Sequence, residues 1–345
     1  MINFTDLNTI HLEITNRCQA SCPMCSRNYH GGIVNPLIKN QDWSIEDFKK
    51  IINFEILSNI KTLIFCGNFG DPIINQDFDK MSEYLSQTNI YMDIHTNGSL
   101  RSTDWWKKLP KILTKKHRVV FALDGLNDTH SIYRIGTDFN KIIQNAQTFI
   151  DNGGNAEWCF IMFKHNYHQI EEAEKLSKKI GFSRFTVKKS SRFALQDYFF
   201  VLDNKENFLY NLEPVEIEPK VDLSKINELI ESSKISCYAQ HQQEVYIDAY
   251  KNLMPCCFLA SLPYNYYRKT DILAQERTTA YNQYLELIDE LGDTSVLSRS
   301  IKEIIESISY QTVWEKYWTI KKLYICARTC GNKVVTPSQQ IVSST

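Results

Sequence analysis

The most constraining feature of this sequence is the alternation of short β-like runs with helical periodicity between residues 10 and 188. Such alternation is typical of βαβ units, which place parallel strands in one sheet beneath a layer of helices. Six units are fewer than the eight of a complete barrel, so we predict an α/β fold with a partial (β/α)6 TIM-like barrel. The runs assigned to strands are residues 10–14, 62–65, 90–94, 119–123, 158–163 and 185–188.

The rest of the chain is organised differently. We predict a barrel domain over residues 1–192 and an irregular connector over residues 193–234, where Glu-Pro pairs interrupt any periodicity. A smaller domain with a helical insert follows at 235–335, and a flexible tail at 336–345. Within the smaller domain, the pattern indicates one strand at 244–249 and two long helices at 271–291 and 297–322.

Charge and hydropathy exclude several classes of partner. The chain has 39 Lys and Arg against 40 Asp and Glu, a net charge of -1, so no overall basic field favours nucleic acid. No apolar run has the length of a membrane span, and the first residues lack the features of a signal peptide. We therefore expect a cytoplasmic protein that binds neither nucleic acid nor a membrane.

The ten cysteines favour metal ligation over disulfides, because a chain without an export signal is kept in a reducing compartment. Eight of them form two groups, one near each end of the chain. Cys66 and Cys159 lie instead within strand-like runs and are interpreted as small buried residues.

The first group is Cys18-x3-Cys22-x2-Cys25, directly after the first predicted strand. Three thiolates can bind three irons of a cubane cluster and leave the fourth iron open to an external ligand. Two alternatives remain at this point. A zinc site would need a fourth ligand such as His30, and Cys22 with Cys25 could form a redox dithiol.

Polar and glycine-rich loops follow the next three predicted strands, where chemistry is found in barrels of this kind. They contain Gly67, Asn68, Phe69, Gly70 and Asp71 after the second strand, Asn97 after the third, and Asp124 with Arg134 after the fourth.

The cysteine spacing and these loops together resemble the radical S-adenosylmethionine (SAM) superfamily. The resemblance implies a 4Fe-4S cluster on Cys18, Cys22 and Cys25 that binds SAM. It places the SAM amino group at the 67–71 loop, on Asp71 or on the carbonyls of Asn68 and Phe69. Asp124 would face the ribose and Arg134 the SAM carboxylate. The alternative for Asp71, Asp124 and Arg134 is a turn or capping role.

The second group of cysteines, with the strand and turn before Cys256, resembles the SPASM/twitch extensions of radical SAM enzymes. This implies a second, auxiliary 4Fe-4S cluster held by Cys237, Cys256, Cys326 and Cys330, with Cys257 as a substitute ligand or a packing residue. A four-thiolate zinc site has the same ligand count and remains the alternative.

The implied activity is reductive cleavage of SAM to a 5'-deoxyadenosyl radical that abstracts hydrogen from a substrate. The resemblance favours a peptide or protein side chain as substrate. The alternatives are a dehydrogenase or epimerase of a sugar or aminocyclitol, and a non-catalytic iron-sulfur or zinc module. We expect the chain to open directly on its first strand, which counts against a leader-guided peptide. A reductase or a flavodoxin- or ferredoxin-type protein would supply the electron.

Overall fold

The computed structural model describes residues 2–193, 197–216, 226–265, 274–331 and 340–342. The strands are β1 (Thr9–Leu12), β2 (Asn28–Tyr29), β3 (Ile33–Val34), β4 (Thr62–Phe65), β5 (Tyr91–Thr96), β6 (Arg118–Ala122), β7 (Ala156–Met162), β8 (Arg184–Lys189), β9 (Phe199–Leu202), β10 (Phe208–Leu212), β11 (Glu244–Ile247), β12 (Leu253–Met254) and β13 (Gln340–Val342).

The helices cover one face of the main sheet and build most of the C-terminal part. They are α1 (Ile45–Ile51), α2 (Phe54–Asn59), α3 (Phe78–Ser86), α4 (Thr103–Leu113), α5 (His130–Tyr133), α6 (Phe139–Asp151), α7 (Ile170–Ile180), α8 (Ile226–Ser232), α9 (Tyr238–His241), α10 (Cys257–Asn265), α11 (Ala274–Leu291), α12 (Ile301–Ile305), α13 (Ile308–Thr319) and α14 (Tyr324–Cys330). No helix in the described ranges has the length and apolarity needed to cross a bilayer.

Nine of the described strands form one sheet in the order β12-β11-β1-β4-β5-β6-β7-β8-β13. Its central strands, β1 and β4 to β8, are mutually parallel and correspond to the six predicted strands. The predicted mixed α/β fold with a partial barrel is therefore confirmed. The sheet also extends beyond it, because β11 from the C-terminal part pairs in parallel with β1.

The two faces of the sheet have different chemistry. The helix-facing side is aromatic: Trp106 of α4 and Phe149 of α6 pack on Phe121 of β6. The inner side carries charge, with the Arg118 guanidinium bonded to Asp93 at 2.6 and 2.7 Å and to Glu157 at 3.1 Å. Complete barrels fill this interior with branched apolar residues, so the charged interior here is a departure from that pattern.

Two local predictions were wrong. The connector predicted to be irregular contains the antiparallel hairpin β9–β10. The helix predicted over residues 297–322 is two helices, because the Ser307 hydroxyl accepts from the Tyr310 amide and starts α13 anew. Residues 194–196 and 217–225 of the connector lie outside the described ranges, as does most of the predicted tail. The described part of that tail, Gln340–Val342, forms β13 and pairs antiparallel with β8.

Candidate functional site

The loop between β1 and β2 presents three thiols to three different neighbours. Cys18 Sγ lies 3.7 Å from the side-chain nitrogen of Asn97, and Cys25 Sγ lies 3.8 Å from the carbonyl oxygen of Asn68. Cys22 Sγ lies 4.0 Å from Nη1 of Arg134. The cysteine loop and the loops after β4, β5 and β6 therefore meet at the carboxyl edge of the sheet.

The environment of Cys18 and Cys22 opposes ionisation of their thiols unless a cation is bound. Burial raises the pKa of Cys22 to about 11, even though the positive charge of Arg134 lowers it. Burial, Asp71 and the neighbouring thiol of Cys22 all raise the pKa of Cys18. Metal binding releases the thiol protons and supplies the missing positive charge, so this donor set fits an iron-sulfur cluster.

The loop after β4 is shaped by a carboxylate that the sequence analysis missed. The buried Glu13 accepts from the amides of Phe69 at 2.7 Å and Gly70 at 3.2 Å. A side chain at Gly70 would place its Cβ 1.8 Å from the carbonyl oxygen of Thr15, so only glycine fits. The second oxygen of Glu13 accepts from the Tyr246 hydroxyl of β11 at 2.8 Å.

Asp71 lies between two loops. Its carboxylate accepts from the Thr96 hydroxyl at 2.9 and 3.0 Å and from the Asn97 amide at 2.7 Å. It also caps the short 3-10 helix Pro72–Ile74 through the Ile73 amide. These bonds fix the β4 and β5 loops relative to each other, and the predicted contact with a SAM ammonium group stays a prediction.

Asp124 and Arg134 form a buried ion pair. The guanidinium Nε donates to Asp124 Oδ2 at 2.6 Å, and the other carboxylate oxygen accepts from the Ile161 amide of β7 at 2.6 Å. Burial alone would lower the pKa of Arg134, but its surroundings raise it above the usual value, and Asp124 is the first of the groups that do so. The pair holds the Arg134 guanidinium with Nη1 near Cys22.

The second cysteine group also converges in space. The Ser236 amide donates to the carbonyl of Cys330 at 2.8 Å, and Ile235 forms a β-bridge with Gly331, which brings Cys237 beside the end of α14. Burial raises the pKa of Cys256, and the thiols of Cys257, Cys326 and Cys237 raise it further. Cys237 also lines a small, mostly apolar cavity.

Cys257 has a separate environment. Burial raises the pKa of its thiol to about 11, while the imidazole of His11 opposes this and Cys66 adds to it. Cys66 in turn is only half-buried, and the imidazoles His95 and His11 lower its pKa against the opposing effect of burial.

All ten cysteines are free thiols. Within the described ranges, no three His, Cys, Asp or Glu side chains lie close enough together to hold a single metal ion. A four-iron cluster binds each thiolate to a different iron, and the assignment of both cysteine sets as ligands stays a prediction.

Comparison with known proteins gives several matches. The family model described as the radical SAM superfamily matches residues 12–180. The tungsten-containing aldehyde ferredoxin oxidoreductase cofactor-modifying protein of Pyrococcus furiosus is 22% identical over 181 residues, 50% of this chain and 48% of that protein. PqqA peptide cyclase of Granulibacter bethesdensis is 19% identical over 205 residues, 59% of this chain and 52% of that protein.

Solved structures also share the fold. The crystal structure of Streptococcus suis SuiB bound to precursor peptide SuiA aligns with a TM-score of 0.51 at 16% identity, covering 77% of this chain and 64% of that one. The chain spans about half the length of the curated relatives that it matches.

Proposed function

We propose that this chain, whose residues 12–180 match the family model of the radical SAM superfamily, is an enzyme that cleaves SAM reductively and removes hydrogen from a peptide or protein side chain. The observation that carries the proposal is the meeting of three thiols with three separate loops at one edge of the sheet. A 4Fe-4S cluster bound by Cys18, Cys22 and Cys25 would supply the electron for SAM cleavage.

The protein's own residues bind and orient SAM in this proposal. The Arg134 guanidinium, held by Asp124, is placed to bind the SAM carboxylate beside Cys22. The carbonyls of Asn68 and Phe69 face the SAM amino group, and Glu13 holds their loop. Asp71 and Asn97 join the loops that enclose the cofactor. Gly67 and Gly70 allow the chain to pass close to Glu13 and Thr15.

The proposal extends to the C-terminal part of the chain. Cys237, Cys256, Cys326 and Cys330 would hold an auxiliary 4Fe-4S cluster in a domain over residues 235–335, joined to a barrel over 1–192 by a connector. Full thiolate ligation leaves such a cluster no iron for substrate, so its role would be electron transfer or structural support. The electron donor would be a reductase or a flavodoxin- or ferredoxin-type protein.

Two of the matched proteins favour a peptide substrate. PqqA peptide cyclase is named for action on a peptide, and SuiB was crystallised with a precursor peptide. A small-molecule substrate is the second candidate, because the protein matched in Pyrococcus furiosus is described as cofactor-modifying. The two candidates are distinguished by mass spectrometry of a short peptide encoded beside this gene, after incubation with the enzyme and SAM. A change in the mass of the peptide supports a peptide substrate, and an unchanged mass favours a small molecule.

The central test is anaerobic reconstitution followed by reduction with dithionite. We expect about eight irons per chain from two four-iron clusters and formation of 5'-deoxyadenosine from SAM. Replacing Cys18, Cys22 and Cys25 together by Ala should remove about half of the iron and abolish 5'-deoxyadenosine. Cys159→Ala is the matched control, since this thiol lies on β7 outside both sets. SAM cleavage by the triple variant would refute the proposal.

A further inference from the structure

The loop that is proposed to receive the SAM amino group is held by the C-terminal part of the chain. The side-chain nitrogen of Asn68 donates to the carbonyl oxygen of Cys257 at 2.9 Å, across 189 positions of sequence. The backbone carbonyl of the same Asn68 lies 3.8 Å from Cys25 Sγ. Asn68 thus contacts both Cys25 of the N-terminal group and Cys257, the first residue of α10.

Two further contacts support the same loop from α10 and β11. The ring of Phe69 packs edge-on against Tyr264 of α10, with centroids 4.9 Å apart. Glu13, which binds the amides of Phe69 and Gly70, is itself bound by the Tyr246 hydroxyl of β11. The conformation of the loop after β4 therefore depends on α10 and β11 as well as on the barrel strands.

A fourth contact joins α10 to the cysteine loop. The buried side-chain nitrogen of Asn35 donates to the carbonyls of Ser26 at 3.0 Å and Tyr264 at 2.8 Å. Ser26 follows Cys25 directly in the sequence. The helix therefore touches both segments that enclose the N-terminal site.

The start of α10 also carries two members of the second cysteine group, Cys256 and Cys257. Cys256 immediately precedes the helix, and Pro255 before it lines one small cavity together with Cys237. The thiols of Cys237 and Cys326 both raise the pKa of Cys256. Any ligand that draws these thiols together fixes the backbone of residues 256 and 257. It thereby fixes the carbonyl to which Asn68 donates.

We propose that the auxiliary cysteine site and the SAM-binding loop are coupled through Asn68 and α10, so that filling the auxiliary site with iron tightens SAM binding at the N-terminal site. This inference rests on the proposed function and assigns Asn68 a positioning role through its side chain. Such coupling is a free energy shared between two sites, and it is reciprocal.

The test is a double-mutant cycle on the iron-reconstituted protein, with SAM affinity measured by titration calorimetry under anaerobic conditions. Asn68→Ala removes the amide but keeps the backbone carbonyl, and should weaken SAM binding about fivefold, the effect of one neutral hydrogen bond. Cys256→Ala should weaken it by a similar factor. SAM binding by the double variant should also be about fivefold weaker than by wild type, because both changes break the same link between the auxiliary cysteines and the SAM-binding loop.

The SAM-induced change in the EPR spectrum of the reduced N-terminal cluster gives a second readout, which we expect to diminish in both single variants. Asn152→Ala, at the exposed end of α6, is the control and should leave SAM affinity unchanged. If Cys256→Ala does not fold, Cys330→Ala removes another thiol of the same group and completes the cycle.

Three results would overturn the coupling: unchanged SAM affinity in Asn68→Ala, unchanged affinity in the auxiliary cysteine variant, or single effects that multiply in the double variant. Failure of the proposed function is distinguishable, because wild-type protein would then bind no SAM at all.

Discussion

Arg134 is the residue whose charge is most directly placed for the proposed cofactor. Its Nε is bound to Asp124 at 2.6 Å, which leaves Nη1 facing Cys22. Arg134→Ala should weaken SAM binding about tenfold to a hundredfold, the range for a charge-assisted hydrogen bond, with iron content unchanged. Asp124→Asn keeps the acceptor for the Ile161 amide but loses the charge that orients Arg134, so a smaller weakening is expected.

Calorimetric titration of SAM checks both variants. Arg299→Ala is the control, because Arg299 donates to the exposed carbonyls of Asp293 and Glu303 in the C-terminal part, outside the proposed SAM site. SAM affinity equal to wild type in Arg134→Ala would reduce the ion pair to a structural role.

Titration of Glu13 should make the free energy of unfolding depend on pH. Burial raises its pKa from 4.5 to about 7. Between these values the folded chain keeps a proton that the unfolded chain releases. The stability from protonated Glu13 is therefore fully present below about pH 4.5 and is lost as pH rises to about 7, by roughly 3 kcal/mol. A glutamine at this position carries no charge at any pH, so Glu13→Gln should remove this loss of stability with rising pH.

Urea unfolding of wild type and Glu13→Gln at several pH values between 4.5 and 8 measures the difference directly. Identical pH slopes in the two proteins would show that Glu13 does not titrate in this window. Asp248 raises the pKa of Glu13 and also titrates in this window, because burial raises its own pKa to about 6. Repeating the comparison in an Asp248→Asn background isolates the contribution of Glu13.

The sequence predicted those site residues that carry local signals. Spacing marked Cys18, Cys22 and Cys25, and a glycine with a turn residue marked the loop after β4. Glu13 carried no such signal, because a single carboxylate in a strand-like run acquires its role only when Tyr246 and the Phe69 amide meet it. The partners are distant in sequence, and periodicity reports only neighbours.

Among the elements, the six barrel strands were predictable since each is a short apolar run bounded by turns. The hairpin β9–β10 was not, because its sequence is interrupted by Asp203, Asn204 and Glu206 and its aromatic Phe208 is exposed. Its inner residues Phe199 and Val201 pack with Ala20, Cys22 and Met24 of the cysteine loop. The hairpin therefore covers the N-terminal site.

Because the hairpin covers the N-terminal site, substitutions on its buried and exposed sides should affect cluster stability differently. Val201 is fully buried against the cysteine loop, whereas Phe208 is 60% exposed on the partner strand. Val201→Asp buries an unpaired charge and should loosen the hairpin, so that the N-terminal cluster is lost faster in air. Phe208→Asp should leave that rate close to wild type. The decay of visible cluster absorbance after exposure to air provides the measurement, and equal rates for both variants would contradict the covering role.

At the scale of the whole molecule, the sheet joins the two parts that the sequence separated. A strand at residues 244–249 was predictable, but its partner was not, since its pairing with β1 spans more than half of the chain. Ile10 of β1 lies opposite Val245 in register, and Tyr246 reaches Glu13 across the same pair. β1 is thus a central strand, with β4 on one side and β11 on the other.

A shared sheet predicts that the barrel and the C-terminal part unfold together. Val245 is buried on the helix-facing side of β11, and Val245→Ala should cost about 1 to 3 kcal/mol of global stability. Because β1 loses its neighbour whenever β11 opens, amide hydrogen exchange should rise in both strands by the same factor. Leu285→Ala, at a half-exposed position of α11, is the control and should change neither the global stability nor the exchange rates of β1 and β11. Exchange that rises in β11 while β1 keeps its full protection would show that the two parts are separate folding units.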